Sequence, residues 1–260
     1  MGPLVYADHP FPLIPTPIFQ SKEVIFQKDM FTAAATEMAC VHNMLIRGLN
    51  AIWLQAPYIT EKDEKAFLHF INVWHLLLQT HHTGEEDTFF PLLAEMTGEK
   101  EIMKANVEQH HAFEKGVLCL ISYVSACLTN QVEYNGARIV QLVDSFASVL
   151  VEHLSDEIPT LLDLRCFGDK LAGMPEKLAK EGEKHMKAMG LFKGAVFCLA
   201  THDLAYEGGL HTNFPPIPKV LLWALRNLGW YVHSDWWRFA PCDRQGKMRP
   251  LYAAITKAPQ

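Results

Sequence analysis

The sequence predicts an all-α protein: an up-down-up-down four-helix bundle with an extended N-terminal arm and a partly helical C-terminal extension. Three observations predict it. Apolar residues recur at spacings of three and four along four long segments between positions 32 and 165. The breaks between those segments are only a few residues long, which favours antiparallel neighbours. No alternating run of useful strand length interrupts them.

Residues 1–31 open with MGPLVYADHPFPLIPTPIF, where Pro3, Pro10, Pro12 and Pro15 leave no periodicity, and read as an extended arm packed on the bundle. The bundle is expected over 32–165. Its first helix, about 32–56, carries the stripe Met38, His42, Leu45, Leu49 and Ile52. Ala56-Pro57-Tyr58-Ile59-Thr60 breaks it, and Thr60 with Asp63 resembles a capping box for the next helix. The second helix, about 62–95, carries Phe67, Ile71, Trp74, Leu78, His81, Glu85, Phe89 and Leu92, and Thr97-Gly98 ends it. The third, about 99–130, carries Met103, Val107, His110, Glu114, Val117, Ile121 and Leu128. After a break from Thr129-Asn130 to Asn135-Gly136, the fourth, about 136–165, carries Ile139, Val143, Phe146, Leu150, His153, Glu157 and Leu161. Residues 166–260 are expected to cover the bundle as part of the same domain. A charged helix near 175–189 and a short one near 218–229 fit there, with irregular structure elsewhere.

Composition narrows the function classes. Lys and Arg number 23 against 29 Asp and Glu, a net charge of −6 without a basic run, which argues against nucleic acid or an anionic membrane as partner. No uninterrupted apolar run approaches the roughly 18 residues of a membrane span. Prolines occupy the stretch where a secretory signal needs its apolar core. The six cysteines form no Cys-x-x-Cys pair. A soluble cytoplasmic protein with scattered core thiols is the expectation.

Histidine is the unusual component, at 13 of 260 residues. Each apolar stripe is interrupted near its middle by a His, or by a His with a Glu four residues on: His42, His81/Glu85, His110/Glu114 and His153/Glu157. Residues at i and i+4 stack on one helix face, and the midpoints of antiparallel helices share one layer. Four imidazoles and three carboxylates are therefore expected to converge in an apolar core. Bare carboxylates there would each cost several kcal/mol (roughly) and repel one another. Two metal ions offset that cost, and imidazole with carboxylate suits iron, with manganese or zinc also possible. The stripe of His82 and Glu86 runs through Asn72, His75 and Gln79, and that of His111 through Lys104, Glu108 and Lys115. Both are polar, so His81 and His110 are the preferred ligands, with His82, Glu86 and His111 beside them or as alternates.

These motifs resemble the hemerythrin-like proteins of the HHE cation-binding type. The carriers are His42 in ACVHNMLIRGLN, HHTGEEDTFFPLL at 81–93, EQHHAFEKG at 108–116 and HLSDEIPTLL at 153–162, in the right order over about half the chain. NFPPIP and WWRFAPCDRQGKMRPLY resemble segments of fungal members with a C-terminal extension. Ferritin-like di-iron bundles use Glu-x-x-His instead. The resemblance implies His110, Glu114 and His153 as terminal ligands of one iron, His42 and His81 as those of the other, and Glu85 and Glu157 as bridges. Oxygen-carrying hemerythrins have His-x-x-x-His on the third helix, where this chain has Glu114. An anionic ligand in place of an imidazole stabilises oxidised iron and favours O2 activation over reversible binding.

The function this implies is a non-haem di-iron oxidase or oxygenase acting on a small organic substrate. The alternative is a non-enzymatic O2, NO or iron binder. Aromatics of the extension (Phe214, Trp223, Trp230, Trp236, Trp237 and Phe239) could roof a substrate pocket, with Arg47, His202, Asp203, Glu207 and His211 as candidate polar contacts. Substrate identity, electron donor and oligomeric state are not readable from the chain.

Overall fold

The computed structural model describes residues 4–21 and 29–254, so the parts of the expected arm at 1–3 and 22–28 and the last six positions of the extension lie outside the described residues. The elements are α1 (Pro17–Gln20), α2 (Met30–Gln55), α3 (Glu61–Gly84), a π-helical turn (Glu85–Phe89), α4 (Phe90–Thr97), α5 (Lys104–Leu128), α6 (Gly136–Asp144) and α7 (Ala147–Asp163). The extension adds α8 (Met174–Ala188), a π turn (Gly190–Ala195), α9 (Val196–Thr201), α10 (Lys219–Ala224), a π turn (Leu225–Gly229), α11 (Trp230–Val232) and α12 (Ser234–Trp237). The described residues contain no strand, only an isolated bridge between Cys242 and Met248.

Four helices close a ring in which α2 meets α3, α3 meets α5, α5 meets α7 and α7 meets α2. This is the expected all-α bundle. Asp29 starts α2 by accepting from the backbone N–H groups of Phe31 (2.9 Å) and Thr32 (3.0 Å). The capping box at Thr60 does not form. The Thr60 hydroxyl donates to Asp63 at 3.3 Å, while Asp63 accepts from Arg238 at 2.8 Å. Gly98, at φ 82°, closes α4 in the left-handed conformation glycine adopts without strain.

The expected fourth helix is broken. Between α6 and α7 the Ser145 hydroxyl donates to the Leu142 carbonyl at 2.7 Å, a local bond that competes with helix continuation. Phe146 leaves helical geometry (φ −135°) and stacks on Trp74 with ring centroids 6.2 Å apart.

Every residue of α2 from His42 to Ile52 is buried, because the helix is covered on both sides. One side faces the bundle. The other holds the arm through two asparagines seven positions apart. Asn43 accepts from the Ile14 N–H and donates to the Ile14 carbonyl, both at 2.8 Å. Asn50 accepts from the Phe11 N–H (2.9 Å) and donates to the carbonyls of Ala7 (2.8 Å) and Phe11 (2.9 Å). Gly48 lets Trp74 and Phe197 close on α2, since a Cβ there would lie 2.7 Å from the Trp74 ring. The arm and extension also meet directly: the Leu251 N–H donates to the Val5 carbonyl at 2.8 Å.

By length and composition α5 could cross a membrane. That qualifies the expectation that no stretch is apolar enough. The helix nevertheless turns a buried histidine, His110, into the bundle.

Candidate metal centre

All four helices of the ring deliver side chains to one buried layer. His42 comes from α2, His81 and His82 from the end of α3, Glu85 from the π turn, His110 from α5, and His153 with Glu157 from α7. They form two donor sets, His82–Glu85–His110–His153 and His42–His81–Glu85–Glu157, with the ligand atoms of each set within 4.8 Å of one another. Glu85 belongs to both. Its Oε1 lies 3.2 Å from His81 Nε2 and its Oε2 lies 3.5 Å from His110 Nε2. Glu157 also spans the sets, with Oε2 3.4 Å from His42 Nε2 and 3.9 Å from His153 Nε2.

Outer hydrogen bonds fix which nitrogen of each ring is free. His42 Nδ1 donates to the Leu154 carbonyl at 2.7 Å, His110 Nδ1 to Glu86 at 2.5 Å, and His153 Nδ1 to the Gln109 side-chain oxygen at 3.1 Å. With the proton on Nδ1, each Nε2 presents a lone pair to the centre. Two such lone pairs face each other at 3.0 Å between His110 and His153, and Nε2 of His42 and His81 are also 3.0 Å apart. Imidazoles bound at about 2.1 Å and at right angles to one ion leave their nitrogens about 3.0 Å apart.

The charge balance also fits a cation. Burial, then the neighbouring imidazoles, holds His81 and His82 well below the ordinary histidine range. Burial, then His110 and His42, lowers His153 to about 2. Burial, then the Glu157 and Glu86 carboxylates, pushes Glu85 well above the usual carboxylate range. The short approach of His81 to Glu85 is therefore not an ordinary ion pair, because burial disfavours the charged form of that imidazole. Both carboxylate oxygens of Glu85 and of Glu157, and His82 Nε2, are buried without a hydrogen-bond partner. Unsatisfied oxygens among lone-pair nitrogens form a donor set that could hold a cation.

Six of the seven residues read as ligands are brought together; Glu114 is not. Its side chain is 63 % exposed and lies 3.6 Å from the equally exposed His111. The buried row of α5 steps three residues from His110, not four, and runs through Phe113, Val117, Leu120, Val124 and Cys127. His82 completes the layer instead, giving five imidazoles and two carboxylates. Its ring stacks on His110, with centroids 4.2 Å apart, while His81 meets His42 at 5.1 Å. Because α3 touches both α2 and α5, it buries two adjacent rows, one through Leu77 and His81 and one through Leu78 and His82. Glu85, four residues after one histidine and three after the other, sits between them. The apolar doublets Leu77-Leu78 and Phe89-Phe90 on either side were the available sign of a two-row face.

Glu86 stands beside the centre as the acceptor for His110, and His111 lies at the surface. His185 of α8 closes over the end of α3 at Gly84, where a Cβ would lie 2.0 Å from its ring. A cleft of about 190 Å³ between α3 and α5 reaches the layer from outside, lined by His82, Glu86, His110, Phe113 and Glu114 among others. Beside it, a second cleft of about 300 Å³ shares His75 and Gln79 and ends at Trp236 and Lys193.

The expected aromatic roof is mostly core. Trp236 lines the second cleft, but Trp237 is wholly buried, Trp230 packs on it at 6.4 Å, and neither Phe214 nor Arg47 lines either cleft. Arg47 donates to Asp8 at 3.1 Å and lies 4.8 Å from the Tyr206 ring centre. Glu207 accepts from Thr16 and His211, His202 donates to the His211 carbonyl at 2.9 Å, and Asp203 caps the Ala205 N–H at 3.0 Å. These groups bind the arm to the extension on the far side of α2.

A family model described as hemerythrin HHE cation binding domain matches residues 35–164, the span from α2 to the end of α7. The chain is 34 % identical over 256 residues to the "Dimeric xanthone biosynthesis cluster protein R11" of Cryptosporiopsis sp. (strain 8999), covering 96 % of this chain and 94 % of that one. No solved structure matches.

Proposed function

From the premise that the chain belongs to the hemerythrin HHE cation-binding family, we propose that it is a di-iron oxidoreductase that uses O2 on a small organic substrate. The observation that carries this reading is the pair of donor sets sharing Glu85, with an open cleft reaching His82 and His110. Bound iron supplies one-electron and O2 chemistry. The chain's residues supply the setting. Leu154, Gln109 and Glu86 hold three imidazoles in the ligating tautomer, and the Phe113 ring packs against His82, His110 and His153. Glu86 touches both His110 and the cleft, so it couples what occupies the cleft to the orientation of that imidazole. The name of the R11 relative concerns dimeric xanthone biosynthesis. Carried to this chain, that name supports a substrate among small organic compounds of xanthone-type biosynthesis.

One observation favours the second reading, a non-enzymatic O2 or iron binder. With Glu114 outside the layer, the third carboxylate that favoured oxidised iron is gone and a fifth imidazole stands in its place. Metal analysis of the purified protein, followed by mixing its reduced form with O2, separates the two. Oxygen consumption matched by oxidised organic product supports the oxidoreductase. Uptake reversed under vacuum supports the binder, and fewer than two metal ions per chain at saturation refutes the di-iron oxidoreductase.

A further inference from the structure

The extension carries an apolar face that nothing among the described residues covers. Val220 is 82 % exposed, Trp223 60 %, Leu228 60 %, Tyr231 61 % and Val232 53 %. All five lie on the continuous helical stretch formed by α10, the π turn and α11. In an unbroken α-helix they would scatter over about half the circumference, at about 100° per residue. The π turn at Leu225–Gly229 adds one residue to the stretch, which brings all five within an arc of about 100°. Phe192, 50 % exposed, extends the face. Gly229 brings it alongside, since a Cβ there would lie 3.1 Å from the Phe192 ring.

We infer that this face is the contact between two copies of the chain, paired antiparallel about a two-fold axis near the π turn. The exposed area of the six side chains is on the order of 600–800 Å², beyond the largest apolar patch of most monomers and close to what each partner gives to a standard interface. The sequence of the face is self-complementary in that direction. With the axis near Arg226, Val220 of one copy opposes Tyr231 of the other, and Trp223 opposes Leu228. Lys219, which starts α10, then meets the C-terminal carbonyls of the opposing helix, where a cation is favoured. A parallel pairing would instead set Trp223 on Trp223 and Lys219 on Lys219.

The test is sedimentation equilibrium of the full-length protein, from nanomolar to high micromolar concentration. The wild type should shift from monomer to dimer. Trp223→Arg and Leu228→Arg, both at exposed positions, should each weaken the dimer by about thirtyfold or more while leaving helicity by circular dichroism unchanged. Val149→Arg, on the exposed side of α7, should leave it intact, and Lys219→Glu should weaken it. A wild type that stays monomeric throughout overturns the inference, as does a dimer indifferent to both arginine variants. A Lys219→Glu dimer that is tighter than wild type overturns the antiparallel pairing. A monomer that floats with anionic phosphatidylserine vesicles in a Trp223-dependent way assigns the face to lipid instead.

Discussion

Replacing His82 by alanine separates a ligand from a bystander. In the metal-free protein the substitution removes ring contacts with His110 at 4.2 Å and Phe113 at 5.2 Å, a loss of about 1–2 kcal/mol. It also removes a buried Nε2 without a partner, a relief of about 1–3 kcal/mol. The two nearly cancel, so the metal-free melting temperature should move little. With metal present the balance changes. Losing one of the four donors in the His82–Glu85–His110–His153 set should weaken that ion's binding about a hundredfold or more, lowering the ligand-linked stabilisation by about 2.7 kcal/mol. For a chain of this size that removes about 5–11 °C of the metal-induced rise in Tm. Calorimetry with and without added Fe(II) under anaerobic conditions, with metal content measured alongside, reads both effects. Glu114→Ala is the companion variant and should keep the full metal-induced rise. If His82→Ala keeps that rise and Glu114→Ala loses it, the reasoning from the buried row of α5 is wrong.

Glu85→Gln should lower the content of both ions, because Glu85 is common to the two donor sets, and should raise metal-free stability at neutral pH by about 1–2 kcal/mol, read by urea unfolding, by removing a buried carboxylate without partners. In the metal-free protein His153 is held to about 2 while the unfolded chain titrates near 6.5, so the unfolded state binds the extra proton below 6.5. Stability present above that pH should be lost as the pH falls, by up to about 1.4 kcal/mol per unit for this residue, in urea unfolding at pH 7.5 against 5.5. Glu85 acts in the opposite sense: its raised folded value adds stability at low pH that disappears as the pH rises through that value. Asn50→Ala should cost about 2–4 kcal/mol through three lost arm contacts, with faster proteolysis of the arm as the second readout.

The sequence is most transparent where a residue interrupts an otherwise apolar row. His42, His81, His110 and His153, with Glu85 and Glu157, could be named because each stands in a stripe whose remaining members only make sense as core. It is least transparent where a helix has more than one neighbour. One stripe per helix suits a helix touching one partner, but α3 faces two, so His82, whose stripe is otherwise polar, ranked behind His81 as a ligand. On α5 both i+3 and i+4 from His110 were open to the periodicity, and Phe113 against Glu114 was decided by burial of the aromatic ring. Asn43 and Asn50 do not interrupt an apolar row, so nothing local marked them as the clamps of the arm. The π turns at Gly190–Ala195 and Leu225–Gly229 shift the phase by a residue, which blurred the periodicity of the extension.

The hydrogen bond between Val5 and Leu251 bears on the order in which the gene could be written. Two strands of backbone that meet at 2.8 Å need only a short linker to become one. A circular permutant joined there and opened in the exposed turn around Asn130 and Gln131 would begin with α6 and end with α5, keeping every contributor to the metal layer. Such a chain should still fold and load metal. Chain order within the bundle would then be an inherited arrangement, and the closed ring of four helices the requirement.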